Sequence, residues 1–239
     1  MNLISLFSTL VTFVFLGFVF RRYLVKGGAH LLLWSLGLLF YGLGTLSEVF
    51  LSFQFNGLVL KLWYLCGAML TAAWLGQGSI HLLVRKPHVA ITLTGILSAA
   101  SLTAAALVFS APINGAVAYQ TGVSASAQYQ AVLGRSGGII LMTILLNSYG
   151  TLALVGCAAV SAFLFWRKRV LFNRMLGNIL IAVGALSPAL GGTFVKLGVT
   201  NLLYLSEFVG AVIMYIGFMQ ATTRPAVARP AAQRVALEK

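Results

Sequence analysis

Seven long apolar stretches follow one another along this chain, at roughly 2–20, 29–53, 58–84, 89–110, 138–166, 176–197 and 201–222. Each reaches the ~20 residues that an α-helix needs to cross the hydrocarbon core of a bilayer. The pattern predicts an all-α membrane protein: one domain of seven transmembrane helices over residues 1–222, then a disordered basic tail at 223–239 containing Pro225 and Pro230. All the gaps are short except 111–137, which is uncharged apart from Arg135, is rich in Gly, Ala, Ser and Gln, and carries Tyr119 and Tyr129. That stretch reads either as a lid over an outward-facing opening or as a mobile connector.

Charge gives the threading. Thirteen of the sixteen Lys and Arg residues fall in alternate gaps: Arg21, Arg22 and Lys26; Arg85 and Lys86; Arg167, Lys168, Arg169 and Arg174; Arg224, Arg229, Arg234 and Lys239. The other gaps hold Lys61, Arg135 and Lys196. By the positive-inside rule this alternation places the N-terminus outside and the C-terminus in the cytoplasm. The first stretch has no basic segment before it, and Arg21 and Arg22 come after it, so it reads as a retained helix and not as a cleaved signal.

A chain that is 60% apolar and 8% charged, with a mean hydropathy of +0.97, is no soluble domain. Its net charge of +13 sits in short stubs beside apolar segments, which argues for the bilayer and anionic cytoplasmic-face lipids as partners and against nucleic acid. A bacterial plasma membrane is the expected location. Cys66 and Cys157 lie in separate apolar runs without neighbouring His, so neither a disulfide nor a metal site is expected, and both read as small core residues.

The order helix, basic stub, helix, short outer link, helix occurs twice, on either side of the fourth stretch, and both copies run in the same direction. Local echoes accompany it: 21–26 with 167–174, 41–45 with 188–193, and Tyr64 with Tyr204. Parallel three-helix repeats around a linker helix build some small transporters. In layout this 3+1+3 plan resembles the sugar-transporter and PQ-loop families. There is no Pro-Gln pair, so no family residue carries over.

Candidate chemistry is sparse. Aspartate is absent and Glu238 is in the tail, which leaves Glu48 and Glu207 as acids among the helices. No GxSxG, HExxH or CxxC motif occurs, and His30, His81 and His88 lack the spacing of a metal or haem site, so no cofactor is indicated. A retinal Schiff base is excluded because the seventh stretch has no lysine. An acid at membrane depth is a functional candidate by default. By helical rise Glu48 stands about 28 Å along the second helix, near the outer interface, and Glu207 about 9 Å below the outer end of the seventh. Lys61 and Lys196 are also at outer ends. These four residues make either outer ion pairs with snorkelling lysines or a polar outward-facing vestibule for a cation, a proton or an amine.

Trp34, Tyr41 and Glu48 recur every seven residues on one helix face, and Trp74, Gln77 and His81 share another. With Asn147, Ser148 and Tyr149 they would line a cavity or pack helices together, and Tyr204 is a further binding candidate. Pro188, Gly191 and Gly192 would kink and loosen the sixth helix. Three functions fit this sequence. The first is a small-molecule or ion transporter or channel with an outward-facing polar vestibule. The second is a seven-helix sensor or accessory subunit with a membrane-protein partner or as a homo-oligomer. The third is a lipid-modifying enzyme using Glu207 or His81, for which no nucleophile–base constellation is present.

Overall fold

A computed structural model of the chain describes residues 3–84, 86–114, 119–168, 172–196 and 201–222. Nearly all of them are helical. The elements are α1 (Leu3–Lys26), α2 (Ala29–Leu51), α3 (Gly57–Trp63), a π-helical segment (Tyr64–Leu70), α4 (Thr71–Leu83), α5 (Pro87–Ser110), α6 (Ala125–Val132), α7 (Gly137–Lys168), α8 (Phe172–Lys196) and α9 (Asn201–Thr222). No named strand occurs among the described residues; Ile113 and Leu133 form an isolated antiparallel bridge.

Local chemistry sets the boundaries. Gly27, at φ 66°, turns the chain between α1 and α2 in the left-handed region that disfavours other residues. The Asn56 side chain accepts hydrogen bonds from the amides of Leu58 (2.9 Å) and Val59 (3.2 Å) and caps α3. Pro87 opens α5, where its missing N–H is not needed. The first helix does not stop at residue 20: it continues through Arg21 and Arg22 to Lys26. Arg and Lys are good helix formers, so the charges end the apolar run without ending the helix.

Among the described residues, six spans are long and apolar enough to cross a membrane: α1, α2, the joined stretch Gly57–Leu83, α5, α7 over Gly137–Leu164, and α9 over Leu202–Thr222. Helix α8 has 25 residues, and its fully described stretch Met175–Pro188 is apolar. The distribution of polarity is inverted relative to a soluble protein. Phe7, Leu10, Val14, Ile91, Leu102, Leu141 and Leu152 are exposed, whereas Ser8, Thr12, Thr45, Glu48 and Gln77 are buried. An apolar outside over a partly polar inside is the surface of an integral membrane protein.

Backbone contact at glycines holds the bundle together. A Cβ on Gly184 of α8 would stand 2.6 Å from the Gly210 carbonyl oxygen of α9, and one on Gly217 would stand 2.7 Å from that of Gly177. Between α4 and α7, a Cβ on Gly76 would meet the Gly150 carbonyl oxygen at 2.8 Å. No carbon fits at such distances. By contrast, nothing lies within 4 Å of a Cβ on Gly95.

Gly210→Ala should therefore force α8 and α9 apart and destabilise the protein by about 1–3 kcal/mol, as overpacking does. Gly95→Ala should be neutral or stabilising, because Ala is the better helix former. Melting curves of both variants in one detergent would test the contrast.

Candidate functional site

Two cavities occupy opposite ends of the same helices. The one at the α6 end, named the outer cavity after the threading expected from sequence, is about 300 Å³ and is lined from α2 by Tyr41, Thr45 and Glu48. Trp63, Gly67, Ala68 and Thr71 line it from the α3–α4 span, Asn147 and Thr151 from α7, Pro188 from α8, and Leu203 and Glu207 from α9. Ser126, Tyr129 and Gln130 of α6 complete it. The inner one, about 340 Å³, lies at the Gly27–Gly28 end and includes Arg22, His30, Trp34, Ser79, Cys157, Ser161 and Asn178. Between them is a space of about 20 Å³, room for about one water, walled by Phe15, Leu38, Leu75, Leu154, Met214, Phe218 and neighbouring apolar groups with the Trp34 ring. Leu154 lines all three spaces.

Glu48 is only 3% exposed. Residues of α6, the α3–α4 span and α9 border the same cavity, and distance along one helix says nothing about what lies over it. The Tyr204 hydroxyl and the Trp63 indole interact with its carboxylate. Even so, Oε1 of Glu48 and Oε2 of Glu207 are buried without a hydrogen-bond partner among the described residues. The Tyr41 hydroxyl donates to the backbone carbonyl of Glu207 at 2.7 Å, tying α2 to α9 beside both acids.

The expected pairing of these acids with Lys61 does not form. Lys61 Nζ donates to the Phe109 carbonyl at 2.8 Å, closing the end of α5. Neither acid has an ion-pair partner among the described residues. Lys196 ends α8, and its side chain, like the local surroundings of Gly191 and Gly192, lies outside the described residues. Helix α8 runs on through Pro188, which faces the outer cavity.

The Trp74–Gln77–His81 face turns away from the cavity and onto α5. Trp74 Nε1 donates to Ser101 Oγ (3.1 Å), and Gln77 Nε2 donates to the Ala90 carbonyl (2.9 Å) and to Thr94 Oγ1 (2.7 Å). His81 Nε2 shares a hydrogen bond with Thr94 Oγ1 at 2.8 Å. The Tyr149 hydroxyl donates to Gln77 Oε1. These contacts bind helices together in the manner of interhelical polar groups. Asn147 separates from this set: its amide donates to the carbonyls of Ala68 (2.7 Å) and Thr143 (2.9 Å) on the cavity side.

Two features were not anticipated from sequence. The π-helical turn Tyr64–Leu70 offsets the backbone ladder where it borders the cavity, and the Thr71 hydroxyl and Asn147 amide take up the Cys66 and Ala68 carbonyls. The second is the inner cavity itself, where His30 packs edge-on against Trp34 with ring centroids 5.6 Å apart.

The 111–137 stretch is ordered over its described residues. Gln128 Nε2 donates to the Gln120 and Val123 carbonyls, both at 2.9 Å, and the Asn114 and Gly134 amides donate to the Val132 and Pro112 carbonyls, also at 2.9 Å. The Arg135 guanidinium carbon lies 4.9 Å from the Tyr129 ring centroid. Burial pushes the Tyr119 phenol up to about 12, so it remains a donor at neutral pH, 3.4 Å from the Leu51 carbonyl. No known family, curated protein or solved structure matches this chain.

Glu48→Gln and Glu207→Gln remove no ion pair among the described residues. Each should melt at or above the wild-type temperature; a fall of more than about 3 °C, roughly 1 kcal/mol, would reveal a structural partner. In the same preparation a small water-soluble thiol reagent should label Cys157, which borders the inner cavity, well before Cys66, which is 4% exposed.

Proposed function

We propose that this protein is a small-molecule or ion transporter or channel with an outward-facing polar vestibule. The observation that carries this reading is the pair of cavities at opposite ends of one set of helices, parted only by the apolar layer around Leu75, Leu154 and Met214. Apolar constrictions of this kind gate by excluding water. A membrane enzyme is less well supported: His81 is engaged with Thr94, away from the acids, so no acid–base pair assembles.

In this reading α8 is the seventh membrane crossing, and the N-terminus is outside a bacterial plasma membrane. The packing supports a 3+1+3 repeat. Helix α4, closing the first unit, packs on α7, which opens the second; α9, closing the second, packs on α1, which opens the first. In such a repeat a pseudo-two-fold axis between the units would relate those two contacts. Helix α5 fits the linker, with the smallest buried share of the six spans at 17%. The groove formed by Phe18, Arg21, Val25 and Lys26 would take anionic lipid on the cytoplasmic face.

Reconstitution into liposomes tests the route. Leu154→Ala, which thins the apolar layer, should raise the passive flux of small solutes about tenfold, the effect of ~1.4 kcal/mol on a barrier. Leu152→Ala, on the exposed side of the same helix, should leave flux unchanged. Equal flux through both variants and wild type would remove the axial route. A stoichiometric partner retained through gentle purification, with no flux for any solute, would instead favour the sensor or accessory reading.

A further inference from the structure

We propose that the outer vestibule is a binding site for a small organic ammonium ion, an inference that rests on the vestibule described above and names its ligand class. Charge comes first. Glu48 and Glu207 each present a buried carboxylate oxygen that no described residue satisfies, and no described residue lining the cavity is cationic. Buried carboxylates without partners are costly to hold, and a bound cation would offset that cost.

The walls then select among cations. Tyr41, Trp63 and Tyr129 border the cavity, with the rings of Trp63 and Tyr129 5.5 Å apart. Aromatic faces attract cations and suit those with an apolar, weakly hydrated surface. Tyr129 already holds one organic cation, the guanidinium of Arg135. A bare metal ion is poorly served. Hard divalent ions want about six to eight oxygen ligands, and among the described residues no third acid, His or Cys joins the pair. The volume of about 300 Å³ is at the lower end of the range for organic ligand sites. Asn147 spends its amide N–H groups on the Ala68 and Thr143 carbonyls, leaving its own carbonyl oxygen as an acceptor for an ammonium N–H.

The test uses the purified full chain in detergent, titrated with n-butylammonium or tetraethylammonium chloride against sodium and magnesium chloride at matched ionic strength. Intrinsic tryptophan fluorescence and melting temperature are the readouts. A saturable response to the organic ions alone is expected, weakened about tenfold or more by Glu207→Gln. Trp63→Leu should weaken the melting shift similarly, and Trp63→Phe should restore most of it, which a purely structural role for Trp63 would not produce. No saturable response in wild type up to about 0.1 M, an undiminished response in Glu207→Gln, or an equal response to sodium would overturn the proposal. Binding without flux would keep this site and remove the transport reading. Flux of neutral or anionic solutes without ammonium binding would do the reverse.

Discussion

Lipid tails are as apolar as leucine, so helices in a bilayer gain little by burying apolar side chains against each other and associate where their backbones can touch. In this bundle the touching points are glycines: Gly177 and Gly184 of α8 against Gly217 and Gly210 of α9, and Gly76 of α4 against Gly150 of α7. The rest of the architecture follows from where those contacts fall. They lie between neighbouring helices around the ring, and they fix how far apart the ring's members stand at its centre. Along that axis the larger groups, Leu75, Leu154, Met214 and Phe218, fill the middle. Toward the outer end Gly44, Gly67, Ala68, Ala72 and Ala185 face inward and leave space. The outer cavity is thus the complement of the small residues that border it.

One face of α2 runs the length of this axis. Trp34 borders the inner cavity, and Tyr41 and Glu48 border the outer one. Trp34 Nε1 donates to the Leu75 carbonyl at 3.1 Å and Tyr41 to the Glu207 carbonyl, so the face binds α2 to α4 at one level and to α9 at another. Interhelical hydrogen bonds of this sort contribute roughly 0.6–2 kcal/mol each. Glu48 breaks the series, for one of its buried oxygens is left without a partner among the described residues, which is costly. A stripe that satisfies its polar groups at two positions and leaves the third open has the character of a packing surface that becomes a binding surface.

Periodicity and charge were enough to place the helices, because both are written locally. The span over 58–84 and the start of the last helix at residue 201 were readable to within a residue or so. The end of α1 was not: Arg21, Arg22 and Lys26 close an apolar run but favour helix, and hydropathy cannot separate the two effects. Helical rise put Glu48 near the end of α2 but could not foresee its burial, because Tyr204 and Glu207, which stand beside it, are far away in sequence. The seven-residue spacing of Gly177 with Gly184, and of Gly210 with Gly217, was open to view and would have identified the α8–α9 contact. The π-helical turn carries no such signal, since Thr71 and Asn147 stabilise it through tertiary contacts.

The closure of the outer cavity is the least self-sufficient part of the structure. Helix α6 has eight residues, too few to hold together alone in water, and its order must come from its neighbours. Tyr129 supplies much of that, packing its ring 5.5 Å from Trp63 and 5.4 Å from Tyr64 with Arg135 beside it. Trp63 in turn touches the Glu48 carboxylate. The groups that hold the lid down are therefore the same groups that border the unsatisfied acid. Anything that enters and engages Glu48, Trp63 and Tyr129 acts on the lid's own contacts. On the proposed reading, occupancy and closure would be coupled to the extent that the ligand bound the closed arrangement better than the open one, with no separate device needed to link them.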